Sequence, residues 1–362
     1  MPLTRPGDAH ADQTNTTGAP SGQPGKEISN EIADPTIDES GPGARMGRSP
    51  MSGRTYVVAC LAGHGIGPEV TAAASRALAQ VSRHHGFLIE EVHPPFDGEA
   101  VMQAGHPLPA ATRNAALSAD AVLVAGATAP ALAGVKAALD LSVRVTRVVA
   151  AHGAGTTTFS SLPGSAPDWA LDRAFAAARA HGGRLVSVGV NGGWRERVDR
   201  HAERHDGVEV THLVLADALH VLTEDGGGLG VLVVEEAVAD AVVEGPRLGG
   251  RRQLAATGYL SPDGPGLFAP THGAAHDIAG QGVANPSEML LAAALLLDEG
   301  LGRRAAAEAL EESLATALAS RSRPADMTEA GVAATTREFV DAVLGMLPSA
   351  RRDTEFALGA PR

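Results

Sequence analysis

Four polar side chains stand close together in one glycine-rich stretch near the end of the chain. The stretch reads PTHGAAHDIAGQGVANP over residues 270–286, and its polar members are His272, His276, Asp277 and Asn285. Three glycines interrupt any helical or strand period, so the stretch is predicted to be a loop. Glycine lets a backbone lie flat against a planar ligand, and Asp and Asn can bond a ribose and a base edge. The pattern therefore indicates a nucleotide-binding loop or, alternatively, an ordinary glycine-rich surface turn.

An acidic segment, EEAVADAVVEGP over residues 235–246, is the second stretch with chemical potential. On a helix, Glu236, Asp240 and Glu244 recur every four residues and share one face. Such a row of carboxylates repels itself unless it is solvated or bridged by a cation. The residues alone leave two interpretations open, a metal site and a plain acidic surface helix.

Residues 63–70, GHGIGPEV, link a predicted strand at 55–61 to a helix that reaches about residue 85. Pro68 suits a first helical turn, and it stands where the dinucleotide GxGxxG fingerprint has its last glycine. The turn is therefore not that fingerprint. Taken by itself, it predicts a tight connection from strand to helix.

Apolar runs of strand length alternate along the chain with amphipathic segments of helix length. This alternation is typical of an α/β protein, and these elements must position the residues above. Residues 120–125 and 229–234 are predicted to be buried strands, and residues 288–297 a buried helix. Residues 150–167 are rich in Gly, Ser and Thr and are predicted to be a loop.

Composition limits the functional classes. The chain has 362 residues, of which 44% are hydrophobic, enough for a buried core and two domains. Its net charge of −13 argues against a nucleic-acid partner. No apolar run reaches membrane-spanning length and no basic-then-apolar signal opens the chain, so a cytoplasmic location without a membrane partner is expected. The single cysteine, Cys60, lies in an apolar run and is expected to be a small core residue.

Two of these stretches together resemble one family, the β-decarboxylating dehydrogenases, which include isopropylmalate, isocitrate and tartrate dehydrogenases. Residues 272–286 follow the family loop HGSAPDIAGKGIANP almost residue for residue. Residues 63–70 are similar to the family's opening GDGIGPEV, with His64 in place of an acid, and residues 105–109 match its GHPLP turn. The resemblance covers about residues 54–347 and is closest to 3-isopropylmalate dehydrogenase. It implies a two-domain isopropylmalate-dehydrogenase-like α/β fold with mixed sheets flanked by helices.

The resemblance also implies a domain organisation. Residues 54–143 together with 254–347 would form the nucleotide-binding domain. Residues 144–253 would form a shortened middle domain for metal, substrate and dimerisation. Residues 1–53 are expected to be a disordered tail, since they are polar and lack aliphatic periodicity, and residues 348–362 a frayed end. In the family the active site lies in the cleft between the domains, with acids crossing from a partner subunit.

NAD is the cofactor that the resemblance implies. The residues carried over to cofactor binding are His272, Gly273, Ala274, Asp277 and Asn285. The carboxylate of Asp277 can accept hydrogen bonds from the ribose hydroxyls and would repel a 2′-phosphate. The family's NADP forms usually carry a basic residue at this position, so NAD is expected over NADP.

The resemblance also places a metal, Mg²⁺ or Mn²⁺, on three carboxylates. They are Asp217, Asp240 and Glu244, the last where the family has Asp. The substrate would be a 2-hydroxy di- or tricarboxylic acid such as isopropylmalate. Arginines grip its carboxylates in the family, and here Lys136, Arg144 and Arg147 stand in that region. For each of these three, an exposed ion pair is the alternative role.

The family's proton-handling lysine and tyrosine have no counterpart, because the chain has only two lysines, Lys26 and Lys136, and neither tyrosine lies in the matching region. Two hypotheses therefore remain open. One is an NAD-dependent dehydrogenase, with possible decarboxylation, that uses substitute groups. The candidates for these groups are His64, Arg195 and His212. The other is a non-catalytic nucleotide-binding homologue, a pseudoenzyme serving as regulatory or structural subunit beside an active paralogue. A homodimer or hetero-oligomer is expected in either case.

Overall fold

The computed structural model describes residues 53–150, 155–224, 229–248, 253–321, 323–328 and 333–348. The predictions of a disordered tail and a frayed end fall almost entirely outside these residues and stay predictions. No helix in the described ranges is long and apolar enough to cross a membrane.

Ten strands in the described residues form one sheet. They are β1 (Thr55–Ala62), β2 (Leu88–Val92), β3 (Ala121–Ala125), β4 (Val143–Ala150), β5 (Thr156–Ser161), β6 (Arg184–Val188), β7 (Glu209–Leu213), β8 (Gly230–Val234), β9 (Gln253–Leu260) and β10 (Gly266–Pro270). Their spatial order is β2-β1-β3-β10-β9-β4-β5-β8-β6-β7.

Helices connect the strands and cover the sheet. They are α1 (Gly67–His84), α2 (Asp97–Ala104), α3 (Ala110–Ser118), α4 (Ala129–Ala138), α5 (Pro167–Ala180), α6 (Gly192–Ala202), α7 (Leu215–Glu224), α8 (Ala239–Leu248), α9 (Ser287–Leu295), α10 (Arg304–Ala319) and α11 (Thr336–Gly345). Short 3-10 turns occupy residues 236–238, 276–278 and 325–327, and a π turn at 296–300 extends α9.

The sheet consists of two parallel sets joined by antiparallel strands. The set β2-β1-β3-β10 is parallel, and so is the set β5-β8-β6-β7. Three antiparallel pairings, β10–β9, β9–β4 and β4–β5, connect them. Because three successive pairings are antiparallel, the strands of the second set run opposite to those of the first. The carboxyl ends of the two sets therefore lie at opposite ends of the strands. The predicted α/β class with mixed sheet is confirmed. The predicted domain boundaries lie in β4 and β9, which pair along their full length, and the division into two domains stays a prediction.

The core lies on both faces of the sheet because strand residues alternate between faces. In β1, Val58 and Cys60 face a large cluster built with α1, α9 and α10, whereas Ala59 and Leu61 face a smaller one built with α4. Helix α9 is apolar all round and almost wholly buried, as its sequence predicted. Cys60 is a free, buried thiol, and burial together with the nearby Glu91 carboxylate raises its pKa well above the usual range.

One predicted loop is wrong in part. Residues 156–161, TTTFSS, are the buried strand β5, which lies between β4 and β8. The Ser and Thr content suggested a loop, but threonine is β-branched and suits the pleated surface of a central strand. Helix α2 was also absent from the sequence prediction.

Candidate functional site

A cleft of about 690 Å³ opens where β10 ends and the loop 271–285 begins. This is the carboxyl edge of the first parallel set, where α/β proteins bind ligands. The cleft is lined by Ile66, Gln253, Leu254, His272, Ala275, Ile278, Val283, Asn285, Glu288, Ala325, Asp326 and Met327.

The two stretches singled out by sequence meet at this cleft. The backbone N–H of Ile66 donates to the carbonyl of Ala274 over 2.8 Å, and the Ile66 side chain lines the cleft wall. Gly65 has φ of +60°, and a Cβ added there would lie 1.8 Å from the Ala274 oxygen. Only glycine therefore lets the β1–α1 turn approach the loop this closely.

Glu288, in the first turn of α9, fixes the start of the loop. One carboxylate oxygen accepts the backbone N–H groups of Thr271 at 3.1 Å and His272 at 2.9 Å, and also the Thr271 hydroxyl at 2.8 Å. The other oxygen accepts the N–H of Ala255 in β9 at 3.2 Å. One side chain thus holds the loop, β9 and α9 together.

Asn285 closes the other end of the loop. Its side-chain oxygen accepts the N–H of Ser287 at 3.0 Å, and its amide nitrogen donates to both carboxylate oxygens of Asp326, at 3.1 and 3.2 Å. The amide is thereby held against the wall that the 325–327 turn contributes.

Two polar atoms at the cleft lack a hydrogen-bond partner among the described residues. Nδ1 of His272 lies 3.0 Å from the Gly273 carbonyl, which can only accept, so Nδ1 carries the proton and Nε2 is an acceptor. Nε2 is buried and unpartnered, and so is Oε1 of Gln253. Buried polar atoms without partners are uncommon in folded proteins, and here two of them belong to residues that line the cleft.

The remaining loop residues lie beside the cleft. Asp277 is exposed in the 276–278 turn, between Ala275 and Ile278, which line the wall. Gly273 and Ala274 follow His272, so all five residues predicted to bind the cofactor lie in this one loop. Their roles in binding stay predictions.

His64 lies at the same edge, in a cluster that the sequence did not reveal. Its Nε2 is 3.3 Å from Oδ1 of Asp97, a buried residue with φ of +53°. Asp97 accepts the backbone N–H of Thr128 at 2.6 Å and its hydroxyl at 3.0 Å. The rings of His64 and His276 have centroids 6.0 Å apart. Asp97 therefore orients His64 toward the loop.

Lys136 and Arg144 lie together on one face of the central strands. Nζ of Lys136 is 3.6 Å from the ring centroid of Tyr259, a cation–π contact. Tyr259 stands opposite Arg144 in the antiparallel β4–β9 pair, so both side chains emerge on the same face. Arg144 also donates to Asp240 in α8 over 2.6 Å. We call Lys136, Arg144 and Tyr259 the basic patch. It contains two of the substrate candidates and contacts one of the metal candidates.

Arg147 lies on the other face of β4. It comes three positions after Arg144 in the strand, an odd number, so its side chain points to the opposite face. Its guanidinium bonds the Glu311 carboxylate at 2.6 and 3.2 Å and the Thr157 hydroxyl at 3.0 Å. These contacts fix Arg147 to α10, and its predicted role in substrate binding stays a prediction.

The ligand atoms of the three metal candidates, Asp217, Asp240 and Glu244, do not all lie within 4.8 Å of one another in the described part of the chain. Asp217 is exposed in the first turn of α7, and Asp240, exposed in α8, pairs with Arg144. In the described residues, the group of three His, Cys, Asp or Glu side chains with ligand atoms within 4.8 Å of one another is Cys60, Glu91 and His93. Asp217, Asp240 and Glu244 are oxygen donors of the kind Mg²⁺ prefers, and their role as metal ligands stays a prediction.

Two catalytic candidates are remote from the cleft. His212 is on β7 and bonds Asp199 at 2.8 Å, while Arg195 is exposed on α6. β1 and β7 are eight strand positions apart. That separation is about 38 Å across the sheet at ~4.8 Å per strand. His212 and His64 therefore cannot share a site in one chain.

Sequence reasoning missed Glu288, Asp326, Asp97 and Tyr259. Glu288 had a detectable signal, because it is the one acid at the start of an otherwise apolar helix. Asp97, Tyr259 and Asp326 had none, since only the fold brings them to their partners.

Comparison with solved structures identifies the fold. A β-decarboxylating dehydrogenase from Thermococcus kodakarensis, in its apo form, superposes with a TM-score of 0.68 at 22% identity, covering 81% of this chain and 96% of that chain. An isocitrate dehydrogenase from Methylococcus capsulatus gives 0.65 at 19% identity, covering 82% and 99%. The fold is therefore that of the β-decarboxylating dehydrogenases, as predicted.

Sequence comparison gives the family. A model of the isocitrate/isopropylmalate dehydrogenase family matches residues 57–146 and 171–343. The 3-isopropylmalate dehydrogenase of Synechococcus sp. (strain CC9605) is 33% identical over 338 residues, 76% of this chain and 94% of that protein. That of Salinibacter ruber is 31% identical over 331 residues, 76% and 90%. The chain belongs to the isocitrate/isopropylmalate dehydrogenase family, and the resemblance predicted from its motifs is confirmed.

Proposed function

We propose that this protein is an NAD-dependent dehydrogenase that oxidises a 2-hydroxy di- or tricarboxylic acid such as isopropylmalate. The observation that carries the proposal is the cleft where the Gly65–Ile66 turn meets the loop 271–285. The mixed lining of that cleft, with the apolar Ile66 and Val283 beside the polar His272 and Asn285, supports a nucleotide there. The exposed carboxylate of Asp277 supports NAD over NADP, because it would repel a 2′-phosphate.

In this proposal the dinucleotide would extend from the cleft toward the basic patch along β9. Gln253 lines the cleft and Tyr259 contacts Lys136. The two residues are six apart, an even number, so they share a face. Six residues of antiparallel strand extend about 20 Å, so the basic patch lies about that far from the cleft end of β9. The nicotinamide end would then lie near Lys136 and Arg144.

The basic patch would hold the substrate. Lys136 and Arg144 are cations on one face, suited to two carboxylates of one acid. Loss of the hydroxyl proton needs a base, which would have to come from outside this patch. NAD held by the loop 271–285 would supply the hydride acceptor for oxidation of the hydroxy acid to a 2-oxo acid. If the acid carries a β-carboxylate, that group can then leave as CO₂.

The metal is proposed as a site shared between two subunits. Asp240 and Glu244 of one copy and Asp217 of a second would supply carboxylates to Mg²⁺ or Mn²⁺. The ion would polarise the hydroxyl and carboxylate oxygens of the substrate. The proposed assembly is a homodimer, or a hetero-oligomer with a related chain.

A second candidate is a non-catalytic homologue that binds the dinucleotide and regulates or supports an active partner. The absence of lysine after β6, where the chain reads Gly189-Val190-Asn191-Gly192, favours it. So does the position of His64, since β1 and β4 are four strand positions apart. That is about 19 Å from the strand of Arg144.

The test separates binding from turnover. Thermal shift with NAD and NADP, with and without Mg²⁺, measures binding, and initial rates of NAD reduction on isopropylmalate, isocitrate, tartrate and malate measure turnover. Asp277→Asn should weaken the preference for NAD, while Asp263→Asn, in an exposed turn, serves as the matched control. Binding without turnover on every acid favours the non-catalytic homologue, and no binding of either dinucleotide refutes both.

A further inference from the structure

The edge of the sheet at β1 and β2 carries a group of reactive side chains that the cleft does not use. Sγ of Cys60, a carboxylate oxygen of Glu91 and a ring nitrogen of His93 all lie within 4.8 Å of one another. Nε2 of His93 is 3.2 Å from Oε2 of Glu91. A thiol, a carboxylate and an imidazole thus converge on one point.

The strand register explains this convergence. β1 and β2 are parallel, with Ala59 beside Val92. Glu91 stands beside Val58, two residues before Cys60, so Glu91 and Cys60 point to the same face. His93 follows directly after the last residue of β2 and lies close to both. Neighbouring strands are ~4.8 Å apart, a spacing that two side chains on adjacent strands can bridge through one ion.

The surroundings of the group are short of positive charge. Glu91 has 16% of its side chain exposed and has no Lys or Arg partner in the described part of the chain. Cys60 is buried, and the Ser75 hydroxyl of α1 faces its sulfur, where it can donate to a thiolate. His93 is 54% exposed, and β2 is the outermost strand. The group is therefore anchored on the inside and open to solvent on the outside.

We propose that Cys60, Glu91 and His93 bind a divalent cation of the Zn²⁺ class. A sulfur, a nitrogen and a carboxylate oxygen form a donor set of intermediate softness, which suits Zn²⁺ and Co²⁺ and does not suit Mg²⁺. Three protein ligands leave the fourth tetrahedral position for water on the solvent side. The bound ion would tie the edge strand β2 to β1 and would compensate the Glu91 charge.

The full-length protein, stripped with a chelator, is titrated with ZnCl₂ by calorimetry and with CoCl₂ by absorption spectroscopy. We expect one Zn²⁺ per chain at this site and a thiolate-to-cobalt charge-transfer band in the near ultraviolet. Cys60→Ala should abolish that band. Glu91→Gln and His93→Asn should each weaken Zn²⁺ binding by about 10-fold or more, since each removes a ligand.

Matched controls keep the result interpretable. Glu90→Gln changes the neighbouring acid on the opposite face of β2, and His84→Gln changes an exposed imidazole of α1. Both should bind Zn²⁺ like the wild type. Glu91→Gln is nearly isosteric, and urea unfolding of each variant checks that it is folded. The absence of a thiolate band in the wild type, or Zn²⁺ affinities of Glu91→Gln and His93→Asn within about twofold of the controls, overturns the proposal.

Discussion

Replacing Glu288 by glutamine tests whether one carboxylate holds the cofactor loop in place. In the wild type its two oxygens accept four hydrogen bonds, three from Thr271 and His272 and one from Ala255. Glutamine keeps one oxygen, which we expect to stay with Thr271 and His272. Its NH₂ group then faces the N–H of Ala255, donor against donor.

The expected cost of this substitution follows from the contacts that change. A hydrogen bond to a charged group contributes about 1.5–3 kcal/mol, and an unpaired buried donor costs about 1–3 kcal/mol. Because the effects overlap, we expect Glu288→Gln to lower the free energy of unfolding by about 2–4 kcal/mol. NAD affinity should fall about 10-fold, as His272 loses its fixed position. Glu288→Ala should cost more on both measures.

Urea unfolding and calorimetric titration with NAD measure the two effects. Glu312→Gln, an exposed acid on α10, is the control and should change stability by less than about 0.5 kcal/mol. If Glu288→Gln matches Glu312→Gln in both assays, the loop does not depend on Glu288 and the proposed design of the site is wrong.

Three further changes have definite expected outcomes. Arg144→Gln should raise KM for the hydroxy acid about 10- to 100-fold, because it removes a charge-assisted hydrogen bond, and should leave KM for NAD nearly unchanged. Initial-rate kinetics measure both constants, and a rise in both would contradict a substrate patch separate from the cofactor cleft. Gly65→Ala should destabilise by at least about 1–2 kcal/mol and weaken NAD binding, because φ is +60° and the Cβ meets Ala274; unchanged melting and binding would count against the contact. Burial and the neighbouring Glu299 raise the pKa of Asp298 to about 7, so the folded state holds a proton that the unfolded state releases near pH 4. Stability should therefore fall by up to about 4 kcal/mol as pH rises from 4 to 7, and Asp298→Asn should abolish that slope in urea unfolding across the range.

Local patterns sufficed for some parts of this molecule and failed for others. The β1–α1 turn was predictable because Gly65 must allow a close backbone approach, and the loop 271–285 because Gly280 and Gly282 adopt positive φ. β5 was not predictable, because its Ser and Thr residues are typical of a loop. Only the pairing of β5 with β4 and β8 on its two sides makes it a central strand. The partnership of Lys136 with Tyr259 joins residues 123 positions apart and has no local signal. The contacts of Asp97 likewise have no local signal, because its partners His64 and Thr128 are distant in sequence and the fold brings them to it.

The two opposed parallel sets give the proposed metal site a test that does not depend on turnover. α7 and α8 follow β7 and β8, whose carboxyl ends lie at the edge opposite the cofactor cleft. If the ion takes Asp217 from one copy and Asp240 from the other, Asp217→Ala and Asp240→Ala dimers each have two defective sites. Random re-association makes about half of the dimers mixed, and each mixed dimer of a two-fold assembly has one intact site and one doubly altered site, so about a quarter of the Mn²⁺ sites should return. Electron paramagnetic resonance of bound Mn²⁺ measures that fraction, with a mixture of Asp263→Asn and wild type as control. Recovery of no sites, from variants that are both dimeric and bind NAD, would show that the carboxylates do not meet across subunits.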